Sequence, residues 1–378
     1  MAQNSGNAID DGQVNSYAAL ALGEPLTGLV TWHKKQLSGG FESGNSLYLI
    51  SGQAPTASGQ RDWSMILKTV KRDESTDASP QSLKYWRREA DFYNSGLVDD
   101  LSCTLITPRC YGVNLQDDRT LIWLETMQDD LPKPWSMAHY SEAARCLGCF
   151  NGQYLAGRPL PEAPWLTQDW LRQYVELAAP SIRDLACLRK LRVFQLAYAN
   201  IDDSTILDAW QRRGEFLDVL DRLPQTFCHQ DAFEGNLFWR KDRSGQGQLV
   251  GLDWAYTGMA AVGVELAPLV AMAFHIPPDQ KRQLYELCLE GYLAGLEEAG
   301  YRADRRQVRF ASLVAIFYRY FFSLLGEFWP NAWDERSYPM LAGLFGLPSI
   351  DHVMGLLYTT NPFQQDNYAE ICQLVEQV

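Results

Sequence analysis

The chain has 378 residues, 46% of them hydrophobic and 21% charged, with a formal net charge of −13. This is the composition of an ordinary globular protein long enough for two or three units. The acidic balance argues against a binder of nucleic-acid phosphates, which would show a basic face, and is compatible with a cationic substrate. The first residues, MAQNSGNAIDDGQ, lack a basic region and an apolar core, so no secretory signal is expected there and the expected location is cytoplasmic. Of eight cysteines only Cys146 and Cys149 form a C-x-x-C, with no second pair to complete a zinc site. Their setting, SEAARCLGCF, reads as helix, and buried reduced thiols are expected.

In chain order, the first third reads mostly as strands. The runs at 26–32, 46–52, 64–70, 103–113 and 119–127 are short, rich in β-branched or aromatic residues and separated by turn formers. One helix is predicted among them, over 82–97, from Leu83, Trp86, Ala90 and Tyr93. The proline-bearing stretch 129–136 is a connector. Helical patterns follow at 137–156, 166–178, 180–200, 203–221, 279–299, 305–328 and 366–377, with strand-like pieces at 225–229, 236–240 and 249–254. The expectation is an α+β chain with a small β-rich N-terminal lobe, residues 1–128, and a larger mainly helical lobe, residues 129–378. The segment 310–329 is apolar enough to suggest a membrane span, but Arg319 and Glu327 interrupt it. A buried helix with Arg319 turned toward a partner or a cavity is the better reading.

The most informative stretch is HQDAFEGN at 229–236, followed by GLDW at 251–254. Apolar TFC before the loop and LFW after it make strand–loop–strand, and RKDRSGQGQ makes a hairpin turn into LVGLDW. That brings Asp231, Asn236 and Asp253 to the same end of a small sheet. Phosphoryl transfer from ATP needs such a set. One carboxylate, Asp231, orients or accepts the proton of the attacking hydroxyl, and two oxygen ligands, Asn236 and Asp253, hold Mg²⁺ on the phosphates. Taken singly, Asp231 could be a cap and Asn236 a turn former; His229 reads as scaffold.

On these residues the chain resembles the aminoglycoside phosphotransferase and choline kinase family, within the protein-kinase-like bilobal fold. That family's catalytic loop is usually H-G-D-x-x-x-x-N, followed by an aspartate before an aromatic residue. Here Gln230 stands in place of the glycine, and Glu265-Leu266-Ala267 stands where the family commonly has Asp-Leu-Ala. The resemblance spans about residues 25 to 330 in element order. It implies ATP and Mg²⁺ as cofactors and a strand lysine, Lys68, on the α- and β-phosphates, oriented by Glu89 on the following helix. It also implies a phosphate-covering loop within 37–50, with Ser38, Gly39, Gly40 and Ser43 as candidates, and a hinge where the backbones of Glu125 and Met127 meet adenine.

The acceptor is expected to be a hydroxyl of a small molecule, aminoglycoside-, choline- or sugar-like. Trp165, Trp170, Tyr320, Glu327, Phe328 and Trp329 could border its pocket, and aromatic faces with carboxylates would suit an amino-bearing or quaternary compound. No nucleic acid or membrane partner is expected. The alternatives are a nucleotide-binding pseudokinase and a small-molecule binding protein without transfer activity.

Overall fold

A computed structural model describes residues 9–37, 45–72, 79–102, 104–241, 245, 247–322 and 324–378. The contacts divide the chain into two compact units, one comprising 1–78, 84–100 and 107–128 and the other 79–83, 101–106 and 129–378.

The smaller unit is built on an antiparallel sheet in the order β1–β2–β3–β6–β5: β1 (Thr31–Leu37), β2 (Ser46–Thr56), β3 (Gly59–Lys71), β6 (Arg119–Glu125) and β5 (Cys110–Leu115). Alternation along β3 sends Trp63, Met65 and Leu67 to one face. There they pack with Ile50, Ala54 and Trp123 against Val14 and Ala18 of helix α1 (Asp11–Leu22). The Asp10 side chain caps that helix by accepting from the Gln13 amide, and Gly23 ends it with a φ of 70°. Lys68 points to the other face of β3, toward α2 (Arg88–Asn94).

Several elements differ from expectation. Helix α1 was not foreseen, because only Val14 and Ala18 of its residues are fully buried and its sequence carries little apolar periodicity. The first strand begins at Thr31 instead of 26. The predicted helix over 82–97 shrinks to α2, although Leu83 and Trp86 are buried in the turns before it, so burial there mimics a helical period. The single strand expected over 103–113 is two. Leu105–Ile106 (β4) pairs in parallel with β9 (Gly247–Gly251) within the larger unit, and only Cys110–Leu115 joins the five-stranded sheet; Pro108 lies between them.

The larger unit contains helices α3 (Met137–Leu155), α4 (Trp170–Glu176), α5 (Ala179–Arg183), α6 (Leu185–Leu188), α7 (Arg192–Ala197), α8 (Asp203–Arg222), α9 (Leu266–Ala271), α10 (Lys281–Glu298), α11 (Arg305–Phe317), α12 (Tyr338–Leu344) and α13 (Ile350–Leu374). The helix expected over 180–200 is broken into three. Arg189 replaces continuous helical bonding by donating to the Tyr198 and Ile201 carbonyls. The last helix begins at Ile350 instead of 366 and carries Pro362 within it. Helix α11 runs on into two π-helical turns, Tyr318–Phe322 and Leu324–Phe328. This run is long and apolar enough to cross a membrane, but it is mostly buried inside the unit, as a core helix is. Cys146 is a buried free thiol, pushed up to about 12 by burial.

Helices α3 and α10 lie unusually close because glycine replaces a side chain at each crossing point. A Cβ on Gly295 would stand 2.0 Å from the Arg145 carbonyl oxygen, and one on Gly148 2.2 Å from that of Tyr292. Alanine at 295 would gain about 1 kcal/mol of helix propensity but force two backbones apart, so Gly295→Ala should destabilise by about 1–3 kcal/mol. Gly214, in the middle of α8, has open space where its Cβ would be. Gly214→Ala should therefore stabilise by roughly 0.5–1 kcal/mol. Urea unfolding of the two variants checks the opposite signs.

Candidate active site

Two short sheets in the larger unit frame a pair of loops. Strand β7 (Gln225–Cys228) pairs with β10 (Gly258–Ala261), while β8 (Leu237–Lys241) and β9 (Gly247–Gly251) form the hairpin expected from the sequence, joined by β4. β7 thus belongs to a separate two-stranded sheet instead of extending the hairpin. The register Leu237↔Gly251 closes the hairpin where both loops meet, and the Leu252 amide donates to the Asn236 carbonyl at 2.8 Å.

The structure brings Asp231 and Asn236 into contact, with the Asn236 Nδ2 donating to Asp231 Oδ2 at 2.8 Å. Asp253 is close enough for its charge to act on Asp231. Burial pushes the Asp231 carboxyl up, the Arg319 guanidinium opposes this, and the Asp253 charge adds to the rise. Two carboxylates and an amide carbonyl are hard oxygen donors, and this chemistry fits Mg²⁺ at Asn236 and Asp253. Among the described residues no cluster of three or more His, Cys, Asp or Glu exists, which leaves this mixed set as the candidate.

His229 is scaffold. Its Nδ1 accepts from the Asp231 amide at 3.2 Å, so Nε2 is the protonated nitrogen and donates to the Leu252 carbonyl at 2.8 Å. The ring also lies 4.4 Å from that of Trp254. One hydrogen-bonded imidazole thereby ties the two loops together. Both loops carry a non-glycine residue with left-handed backbone, Gln230 at φ 66° and Asp253 at φ 59°. For Gln230 the reason is visible in its neighbour. The buried Glu265 accepts the His229 amide at 2.8 Å and the Gln230 amide at 2.9 Å, turning both N–H groups toward one carboxylate. Glu265 fills this place with the longer side chain where the family has aspartate.

A further residue enters from a distance. Arg319, on the first π-helical turn, donates to Asp231 Oδ1 at 2.5 Å and to the Gln230 carbonyl. The sequence marked Arg319 as a buried charge needing a partner, but nothing in it named Asp231. Of the residues expected to border a pocket, Trp170 and Tyr320 lie against Arg319, and Glu327 accepts from the Tyr174 hydroxyl at 2.7 Å. Trp165 is buried. Phe328 and Trp329 are core instead: Phe328, at the end of the second π-helical turn, packs on Phe345, and Trp329, at the start of the 3₁₀ turn that follows, packs on Phe194 and Tyr198.

In the smaller unit the structure brings Lys68 and Glu89 together, with Nζ 2.6 Å from Oε2 and both side chains buried. Glu125 ends β6, and its amide donates to the Arg109 carbonyl at 2.8 Å. Met127 follows two residues on. Ser38, Gly39, Gly40 and Ser43 lie outside the described residues.

With this geometry in hand, the chain can be set beside known proteins. Residues 128–310 match the model of the phosphotransferase enzyme family (APH). Across the whole chain the fold is similar to an aminoglycoside phosphotransferase from Alicyclobacillus acidocaldarius, with 13% identity, 100% of this chain and 99% of that one covered, and a TM-score of 0.54. It is also similar to choline kinase from Cryptosporidium parvum, with 13% identity, 92% and 90% covered, and a TM-score of 0.50. No curated protein sequence matches. The fold is therefore α+β and protein-kinase-like. The match over residues 128–310 takes in the motif at 229–253.

Glu265 gives a test of how the loop is held. Burial pushes its carboxyl up to about 7 from an ordinary 4.5. Between those values the folded chain keeps a proton that the unfolded chain has released. This contribution to stability is therefore full below pH 4.5 and lost as pH rises through about 7. Glu265→Gln turns an amide N–H₂ against a backbone N–H and should cost about 1–3 kcal/mol at pH 5. The gap between wild type and variant should narrow from about pH 5 to pH 8 in urea titrations, and a widening gap would contradict the assignment.

Proposed function

We propose that the chain is an ATP- and Mg²⁺-dependent kinase that transfers the γ-phosphoryl group to a hydroxyl of a small molecule. The observation that carries this reading is the convergence of Asp231, Asn236 and the Asp253 charge at the open end of one hairpin, opposite its turn. The match of residues 128–310 to the phosphotransferase enzyme family supports a small-molecule phosphotransferase; the donor, the metal and the acceptor are the finer reading.

Asp231 accepts the hydroxyl proton as the acceptor oxygen bonds to the γ-phosphorus and the bond to the ADP oxygen breaks. Asn236 and Asp253 would hold Mg²⁺, which when bound neutralises charge on the phosphates. Lys68, oriented by Glu89, is the cation for the α- and β-phosphates. Glu125 and Met127 would offer backbone groups to adenine.

Asp231→Asn should lower acceptor-dependent ADP release by about 10²–10⁴-fold while leaving ATP affinity nearly unchanged. Near-normal turnover would remove Asp231 from this role. Asp253→Ala should abolish the Mg²⁺-dependent part of ATP binding, measured by calorimetry with and without EDTA, and unchanged affinity would contradict the metal assignment. A pseudokinase would bind ATP without consuming it in any acceptor screen, and a sequestering protein would show no ATP effect.

A further inference from the structure

The aromatic residues that could have received a cationic acceptor already surround a cation belonging to the chain. The Arg319 guanidinium lies 4.7 Å from the Trp170 ring, 5.0 Å from Tyr320, and 5.9 Å from both Tyr174 and Tyr256. Its side chain is 7% exposed, against 18% for Asp231. The Tyr174, Tyr256 and Tyr320 residues keep partial exposure, so the enclosure is open on their side.

The polar atoms around this guanidinium are poorly matched to one another. Two of its N–H groups are hydrogen-bonded, to Asp231 Oδ1 and the Gln230 carbonyl, out of the five an arginine carries. The Trp170 Nε1 and the Tyr320 hydroxyl are buried without a hydrogen-bond partner. The Tyr174 hydroxyl is engaged by Glu327. Gln230 Oε1 is a buried acceptor in the same condition. A buried donor without an acceptor costs about 1–3 kcal/mol, so the Trp170 and Tyr320 donors beside this guanidinium form a site short of hydrogen-bond acceptors.

Resting on the kinase reading above, we propose that this enclosure recognises an acceptor carrying a carboxylate besides its hydroxyl, a hydroxy acid, and that Arg319 is the specificity-determining residue. The carboxylate takes N–H groups of Arg319 with the Trp170 and Tyr320 donors, and Gln230 Oε1 accepts from a hydroxyl of the same compound. Asp231 Oδ1 is held by Arg319 and Oδ2 by Asn236, so a carboxylate bound at Arg319 brings its hydroxyl beside Asp231.

The test uses the full chain with Mg²⁺ and ATP and matched probes: ω-hydroxy acids of increasing length with the diols and amino alcohols of the same lengths. Thermal shift reads binding in the presence of a non-hydrolysable ATP analogue, and ADP release reads transfer. Hydroxy acids should raise the melting temperature and exceed their diols and amino alcohols about tenfold or more in kcat/KM. Arg319→Met should bring that ratio near one. Should that variant fail to fold, Tyr320→Phe, which removes one donor and no charge, should still lower the ratio severalfold. An arginine serving only to hold Asp231 would lower turnover on every probe alike and leave the ratio intact; that outcome, or amino alcohols leading the series, would overturn the proposal. Absence of both ATP stabilisation and ADP release with all probes would instead overturn the kinase reading itself.

Discussion

The buried Glu265 carboxyl fixes the loop at 229–236, and the placement of Asp231 beside Asn236 follows from it. Glu265 draws in two consecutive amides, of His229 and Gln230, and this convergence needs the left-handed backbone at Gln230. A glutamine there gives up the free choice of conformation that glycine would have, at a cost of about 1–2 kcal/mol. A hydrogen bond contributes roughly 0.5–1.5 kcal/mol net, so the two amides held by Glu265 together offset a cost of that size. Once the loop is set, Asp231 is presented beside Asn236, and the neutral His229 ring ties it to the loop that carries Asp253. Charge is then the governing quantity. The Asp253 charge adds to the raised proton affinity of Asp231, and Arg319 is the opposing charge the chain supplies.

The parts of the site that share a short stretch of sequence were legible. The spacing from Asp231 to Asn236, and from there through a charged turn to Asp253, is set by one hairpin. A period-two strand on each side was enough to bring the three residues to one end. Lys68 and Glu89 were legible for a similar reason, since one strand face and the next helix confine them. Gln230 was recognised as a departure from glycine, and only its positive φ shows what that departure costs.

Contacts between distant segments were not legible. Arg319 and Asp231 are 88 residues apart, and no periodicity encodes which buried arginine meets which carboxylate. The sequence could say only that an arginine in an apolar helix needs a partner. The same blindness hid α1, whose two buried residues make too weak a pattern, and the breaks in the helix over 180–200, which depend on where the Arg189 side chain reaches. It also hid the close crossing of α3 and α10. Glycines in a helical sequence read as weak points until a second backbone is seen against them. The aromatic residues taken for a cation pocket were right in part: Trp170 and Tyr320 do enclose a cation, but it is Arg319.

The central claim is that Asn236 and Asp253 hold the divalent ion on which transfer depends. Electron paramagnetic resonance of Mn²⁺ in place of Mg²⁺, titrated with ADP, tests it without requiring the acceptor to be known. A protein-bound Mn²⁺–ADP signal in the wild type that disappears in both Asn236→Ala and Asp253→Ala is the result expected. The same bound signal persisting unchanged in both variants would contradict it.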